Sequence, residues 1–300
     1  MTHPSLAETH PQTERAVGYT DSIPNPNGPN DTSIIIYGYT PSIALAFLAA
    51  IWFFIHLILH TAQTFRLRNC WWWLVFSVGL IFEVVGYIAR SLSAKKDPYN
   101  LIFFVLNYFF IVTAPVFLAA GLYTILSILI RETTSGNRFS VVSPRLILGF
   151  FIASDVVSTV IQISGAVLVG IRESRRQDPA VANHILLGGL AYQVFAMSIF
   201  IVLSMTFVLR ARHALKSEGL STFAAVFVLS TLMVYLRTVF RLAETAEGLF
   251  GKLATHEVFF GCLEFAPIAL VALLLEVWHP GRCIGLRRER AFRGREKAGA

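Results

Sequence analysis

The chain has 300 residues, of which 55% are hydrophobic and only 14% charged, with a mean hydropathy of +0.62 and a formal net charge of +7. That balance excludes an ordinary soluble domain and describes a membrane protein. The basic excess collects in tails and loops, where it reports topology, so no nucleic-acid partner is read from it.

Residues 1–36 are polar and proline-rich and are expected to form a disordered tail. They show no cleavable signal peptide, so the first apolar run is expected to be its own insertion signal. Seven runs near the roughly 20 residues that span a hydrocarbon core follow, at about 41–61, 71–89, 101–130, 146–171, 185–209, 222–240 and 259–277. The expectation is therefore an all-α bundle of seven transmembrane helices over 37–281, followed by a basic tail, 282–300, with connections too short for a second domain. Pro41 stands where the first helix can begin, Pro144 precedes the fourth, and His279-Pro280-Gly281 ends the seventh. The third run is longer than a span needs and contains Pro115, which predicts a tilt, a kink or an extension beyond the bilayer. Trp71, Trp72 and Trp73 open the second run together, as indole rings do at a membrane interface. No internal repeat divides the chain into equivalent halves.

Of the 25 lysines and arginines, fifteen fall on the side of the first, third and fifth loops and the C-terminal tail, and ten on the other. The bias predicts an outside N-terminus and a cytoplasmic C-terminus. Asn30-Asp31-Thr32, the one N-x-S/T triplet, lies in the tail assigned outside, which makes Asn30 the candidate glycosylation site. Cys70 and Cys283 fall at the cytoplasmic face and Cys262 in the seventh helix, so no extracellular disulfide is expected. Cys283, beside the basic GLRRERAFRGREK tail, is either a free thiol or a palmitoylation site, and the tail suits anionic inner-leaflet lipid.

Polar residues inside the runs carry the question of function, because each costs several kcal/mol if it faces lipid. Glu83, Tyr87 and Arg90 stand at i, i+4 and i+7 on one stripe of the second helix. Asp155, Ser158, Gln162 and Gly165 form a comparable stripe on the fourth, and Arg237, Arg241 and Glu244 one on the sixth, with Gln193 and Glu264 on the fifth and seventh. These faces are expected to turn inward and meet, with Glu83 looking across to Arg237 or Arg241 and Arg90 marking the outer membrane boundary. Four carboxylates, Glu83, Asp155, Glu244 and Glu264, against Arg237 and Arg241 leave an acidic surplus suited to an amphiphile with a cationic amine, or to a cycling proton. The alternative is structural: buried ion pairs that hold the helices in register, or carboxylates that are protonated and simply hydrogen-bonded.

His56 and His60 have the i, i+4 spacing of a metal pair, but they lie near the inner end of the first helix while Asp155 is near mid-bilayer. They are therefore read as markers of the inner interface, with no metal or other cofactor expected. No phosphate-binding loop and no nucleophile set appears, so the chain is read as neither an ATP-driven pump nor an enzyme.

The segments YGYTPS (37–42), EVVGYIAR (83–90), TAPVFLAAGLY (113–123), SDVVSTVIQISGA (154–166), GGLAYQV (188–194), LRTVFRLAETAEG (236–248), HE (256–257) and VWHPG (277–281) resemble, in order, the motifs of the fungal RTA-like family, also called the lipid-translocating exporters. The chain departs from that pattern at Ala46 and Ala166, where asparagine and glycine are usual, and at Gly261 and Glu264, where tyrosine and aspartate are. The resemblance implies a fungal plasma-membrane protein that moves membrane lipids, sphingoid long-chain bases or other cationic amphiphiles and gives resistance to toxic ones. On that reading Asp155 and Glu264 contact the amine, with Gln162, Gln193 and Tyr87 around it, while Glu83, Arg237, Arg241 and Glu244 form a supporting charge network. The alternative is a seven-helix lipid sensor or receptor that regulates a membrane stress response, although neither D-R-Y nor N-P-x-x-Y is present.

Overall fold

The computed structural model describes residues 37, 40–67, 70–133, 136–174, 177–178, 180–248 and 251–284. Asn30, Tyr39 and the basic stretch after Ile284 lie outside the described residues. Among the described residues, seven helical segments are long and apolar enough to cross a membrane. They are α1 (Ile43–Arg66), α2 (Leu74–Lys95), α3 (Leu101–Glu132), α4 (Pro144–Ser174), α5 (Ala180–Arg210), α6 (Ser221–Glu247) and α7 (Ala266–Val277). The seventh span starts earlier, at Glu257, and reaches α7 through a π-helical turn, Phe260–Phe265. Consecutive helices pack as neighbours, α7 closes back on α1, and α3 also reaches α6.

Side-chain capping sets two of the starts. The Ser42 hydroxyl accepts from the Leu45 amide at 3.4 Å, and Asn100 accepts from the amides of Ile102 and Phe103 at 3.0 and 3.4 Å. Glycine permits the closest helix contacts. A Cβ at Gly86 on α2 would lie 2.6 Å from the Ile111 side chain of α3, and one at Gly165 on α4 would lie 2.6 Å from the Leu186 backbone nitrogen of α5.

Two prolines shape the helices that carry charge. Pro115 has no N–H for the carbonyl of Ile111 one turn earlier, and that carbonyl instead accepts 2.6 Å from Arg237 Nη2. The π turn lies directly before Pro267, whose ring excludes a regular backbone bond to the preceding turn. It carries Glu264 into the bundle, where only 1% of the residue is exposed.

The Trp triplet divides. Trp71 is exposed, but Trp73 is fully buried, stacked on Phe76 with ring centroids 4.6 Å apart, so it belongs to the core and not to an interfacial belt. His56 and His60 are likewise buried within the bundle. His56 pairs through Nδ1 with Glu276 of α7. His60 Nδ1 accepts from Trp73 Nε1 at 3.2 Å, which leaves the ring proton on Nε2 to donate to the Ala272 carbonyl at 3.0 Å.

Candidate functional site

Charged side chains gather at the end of the bundle where α2 and α6 finish and α3 and the seventh span begin. Arg237 of α6 donates from Nη2 to Glu264 Oε1 at 2.5 Å while also holding the Ile111 carbonyl freed by Pro115. One turn on, Arg241 donates to Glu244 at 2.8 Å, and its Nε stands 3.9 Å from the second oxygen of Glu264. Arg90 of α2 lies 3.6 Å from Glu257, whose same oxygen accepts from the Ser42 amide at 2.8 Å and so ties the start of α1 to the start of the seventh span. Opposite charges this close offset the desolvation that each would suffer alone in a bilayer.

Several positions differ from the sequence expectation. Glu83 is buried, but its Oε1 accepts no hydrogen bond among the described residues, because the π turn brings Glu264 to Arg237 first. Arg90 is turned into the bundle. It is 2% exposed, with its guanidinium 3.9 Å from the centre of the Phe260 ring and 5.3 Å from that of Tyr37, which replaces water with aromatic faces. The surplus of carboxylates also disperses. Glu264 pairs with Arg237, and Asp155 accepts instead at 2.7 Å from the hydroxyl of Tyr123, whose ring packs against Phe151 and Phe200. Tyr87 is packed among Phe53, Phe260 and Phe265.

A hollow of about 110 Å³ opens within the charged end. Arg90, Arg241 and Glu244 line it, together with Asn107 and Tyr108 of α3 and Asn183 of α5. Asn107 is set by two contacts: its amide donates to the Gly86 carbonyl at 3.1 Å, and its oxygen accepts from Tyr37 at 3.4 Å. Deeper in the bundle, Gln162 donates to Gln193 at 2.8 Å and to Ser158 at 2.7 Å, and the two glutamines line a recess with Arg237 and Arg241. The structure therefore brings Glu244, Arg241, Gln162 and Gln193 to one region, with Arg237 and Glu264 behind it. Asp155 lines neither space.

Sequence reasoning passed over Asn107, Asn183, Tyr108 and Glu276. Asn107 is a lone amide in VLNYFF, and Glu276 is the only charged residue of α7; both are legible as polar exceptions in apolar runs. Nothing in the sequence sets Tyr108 or Asn183 apart. Among the described residues, no group of three or more His, Cys, Asp or Glu is arranged to hold a metal ion.

Known proteins can now be set beside this geometry. The sphingoid long-chain base transporter RSB1 of Saccharomyces cerevisiae (strain Lalvin EC1118) is 29% identical, over 93% of this chain and 79% of its own length. The protoporphyrin uptake protein 1 of Saccharomyces cerevisiae is 25% identical, over 82% of this chain and 92% of its own. A probable lipid transporter, atnI, of Emericella nidulans is 27% identical, over 83% and 68%. No solved structure matches the chain significantly. Residues 76–287, from early in α2 to beyond the last described helix, match the model of the family described as RTA1 like protein, and the chain belongs to that family.

Proposed function

We propose that this protein moves lipids or other amphiphiles across the membrane, with sphingoid long-chain bases as its substrates. The observation that carries the reading is the hollow bounded by Glu244, Arg241 and Arg90, a space with three charged side chains on its wall inside the membrane-spanning bundle. Three relatives bearing transporter or uptake names support it. Intramembrane charges line substrate routes because their desolvation is otherwise unrewarded. A carboxylate and guanidinium groups side by side match a head group that has both an ammonium and hydroxyls. The lysine and arginine bias supports an outward position for this end of the bundle, and on this reading the membrane is the plasma membrane of a fungal cell, where export of such bases would give resistance to them. Glu244, paired with Arg241 yet on the wall of the hollow, takes the amine-contacting role first given to Asp155 and Glu264, neither of which lines it. Asp155 holds Tyr123, and Glu264 holds Arg237.

The test is movement of fluorescent sphingosine across liposomes that contain the purified chain. Wild type is expected to exceed empty liposomes, Glu244→Gln to be slower by at least tenfold, and Asp155→Asn to keep more than half of the rate. Full activity in Glu244→Gln would remove the carboxylate from substrate contact, and a collapse in a well-folded Asp155→Asn would restore Asp155 to it. Saturable binding with no movement in wild type would replace the transporter with a sensor.

A further inference from the structure

We infer that the hollow is only half of the binding site, and that a single-chain amphiphile with an amino-alcohol head enters sideways from the lipid, its chain lying in a groove between α3 and α4. This rests on the transport reading above and names the route by which substrate reaches it.

The groove has a volume of about 240 Å³, and its walls are apolar except for the Tyr108 hydroxyl. Aromatic Phe104 and Tyr108 of α3 face small Ala166 and Gly170 of α4, one helical turn apart, and this difference in side-chain size leaves the space open. A Cβ built at Gly170 meets nothing within 4 Å. On the rim, Val105 and Val167 are 41% and 46% exposed, so the groove faces the surrounding lipid.

Continuity with the hollow decides the occupant. Phe104, Tyr108, Val169 and Leu186 line both spaces, so the two share a wall. A hollow with charged groups on its wall, meeting a lipid-facing apolar channel, has the shape of one head and one tail. A single channel takes a single hydrocarbon chain, whose burial there replaces contact with lipid at little net cost. At the head end, Glu244 faces the ammonium, and the guanidinium groups of Arg90 and Arg241 face hydroxyl oxygens.

The experiment uses the full chain in liposomes and a photoactivatable sphingosine with the reactive group in its tail. Cross-links are expected in residues 101–109 and 163–171 at no less than five times the level on other lipid-facing segments. Unlabelled sphingosine should displace them and palmitate should not. Labelling spread evenly over the helices would overturn the groove, and equal displacement by palmitate would overturn the amino-alcohol head.

A matched pair of variants tests the route. Gly170→Phe fills the groove, while Gly149→Phe places the same ring on the same helix, also at a site with nothing within 4 Å. Sphingosine flux is expected to fall at least tenfold in the first and to stay at the wild-type level in the second. Wild-type flux in a folded Gly170→Phe would overturn lateral entry and leave the transport reading intact. Labelling of α3 and α4 without any wild-type flux would keep the site and remove transport. Should Gly170→Phe not fold, the cross-linking of wild type decides alone.

Discussion

At the end of the bundle that carries Arg90, Arg237 and Arg241, paired charges surround a hollow; at the end that carries His56, His60 and His279, rings fill the corresponding space. Both ends bury polar atoms and both join two helices through polar side chains, Arg237 with Glu264 at one and His56 with Glu276 at the other. What separates them is shape. At the second end Trp73 lies flat on Phe76 and edge-on to His279, and its N–H is taken by His60, so indole and imidazole satisfy each other among packed rings. At the first, guanidinium groups on aromatic faces and short carboxylates leave room between helices. The lesson is that buried polarity alone does not mark a site; polarity around a hollow does.

The hardest way to break this comparison is Arg237→Met. It leaves Glu264 and the Ile111 carbonyl buried without their partner, a loss of about 3–5 kcal/mol for a broken buried pair. Monodisperse protein in detergent should largely disappear, and an unchanged melting temperature would mean that the pair contributes nothing to the fold. Adding Glu264→Leu should recover part of the yield, since the orphaned charge is then gone.

A smaller effect sharpens the contrast from the ring-packed end. Trp73→Phe keeps an aromatic ring against Phe76 but loses the N–H to His60, worth about 1 kcal/mol. Melting should fall by a few degrees while sphingosine flux below the melting point stays at the wild-type level. A large loss of flux would make the ring-packed end part of the moving machinery.

The smallest expected signal comes from thiol chemistry. Burial pushes the Cys70 thiol, in the turn before α2, up to about 11, because it disfavours the charged thiolate. The thiolate is the reactive form, so a maleimide at pH 7.5 should leave Cys70 unmodified in the folded protein and react once the chain is unfolded. Rapid labelling of Cys70 in the folded state would show that this end opens readily.

The span count was open to sequence reading because it needs only local composition: about 20 apolar residues cross a bilayer whatever surrounds them. Family membership was equally legible, from eight short motifs in order. The polar stripe of the sixth run was also found by spacing, since a helix fixes which of its own residues share a face. Partners were a different matter. The sequence reading pairs Glu83 with Arg237 or Arg241 and leaves Asp155 and Glu264 as surplus, and three tertiary details rearrange that assignment. Pro115 frees a carbonyl that anchors Arg237, a π turn before Pro267 delivers Glu264 to it, and Tyr123 draws Asp155 toward α3.

Composition and periodicity by themselves therefore determined that this chain crosses the membrane seven times and keeps charge inside the bundle, because the bilayer penalises every exposed polar group in the same way. Which carboxylate meets which arginine, and that a hollow adjoins an apolar groove between α3 and α4, was decided only by the tertiary structure. Pairing turns on ångström separations between helices, and a cavity is set by the sizes of side chains from several helices at once, Ala166 and Gly170 against Phe104 and Tyr108.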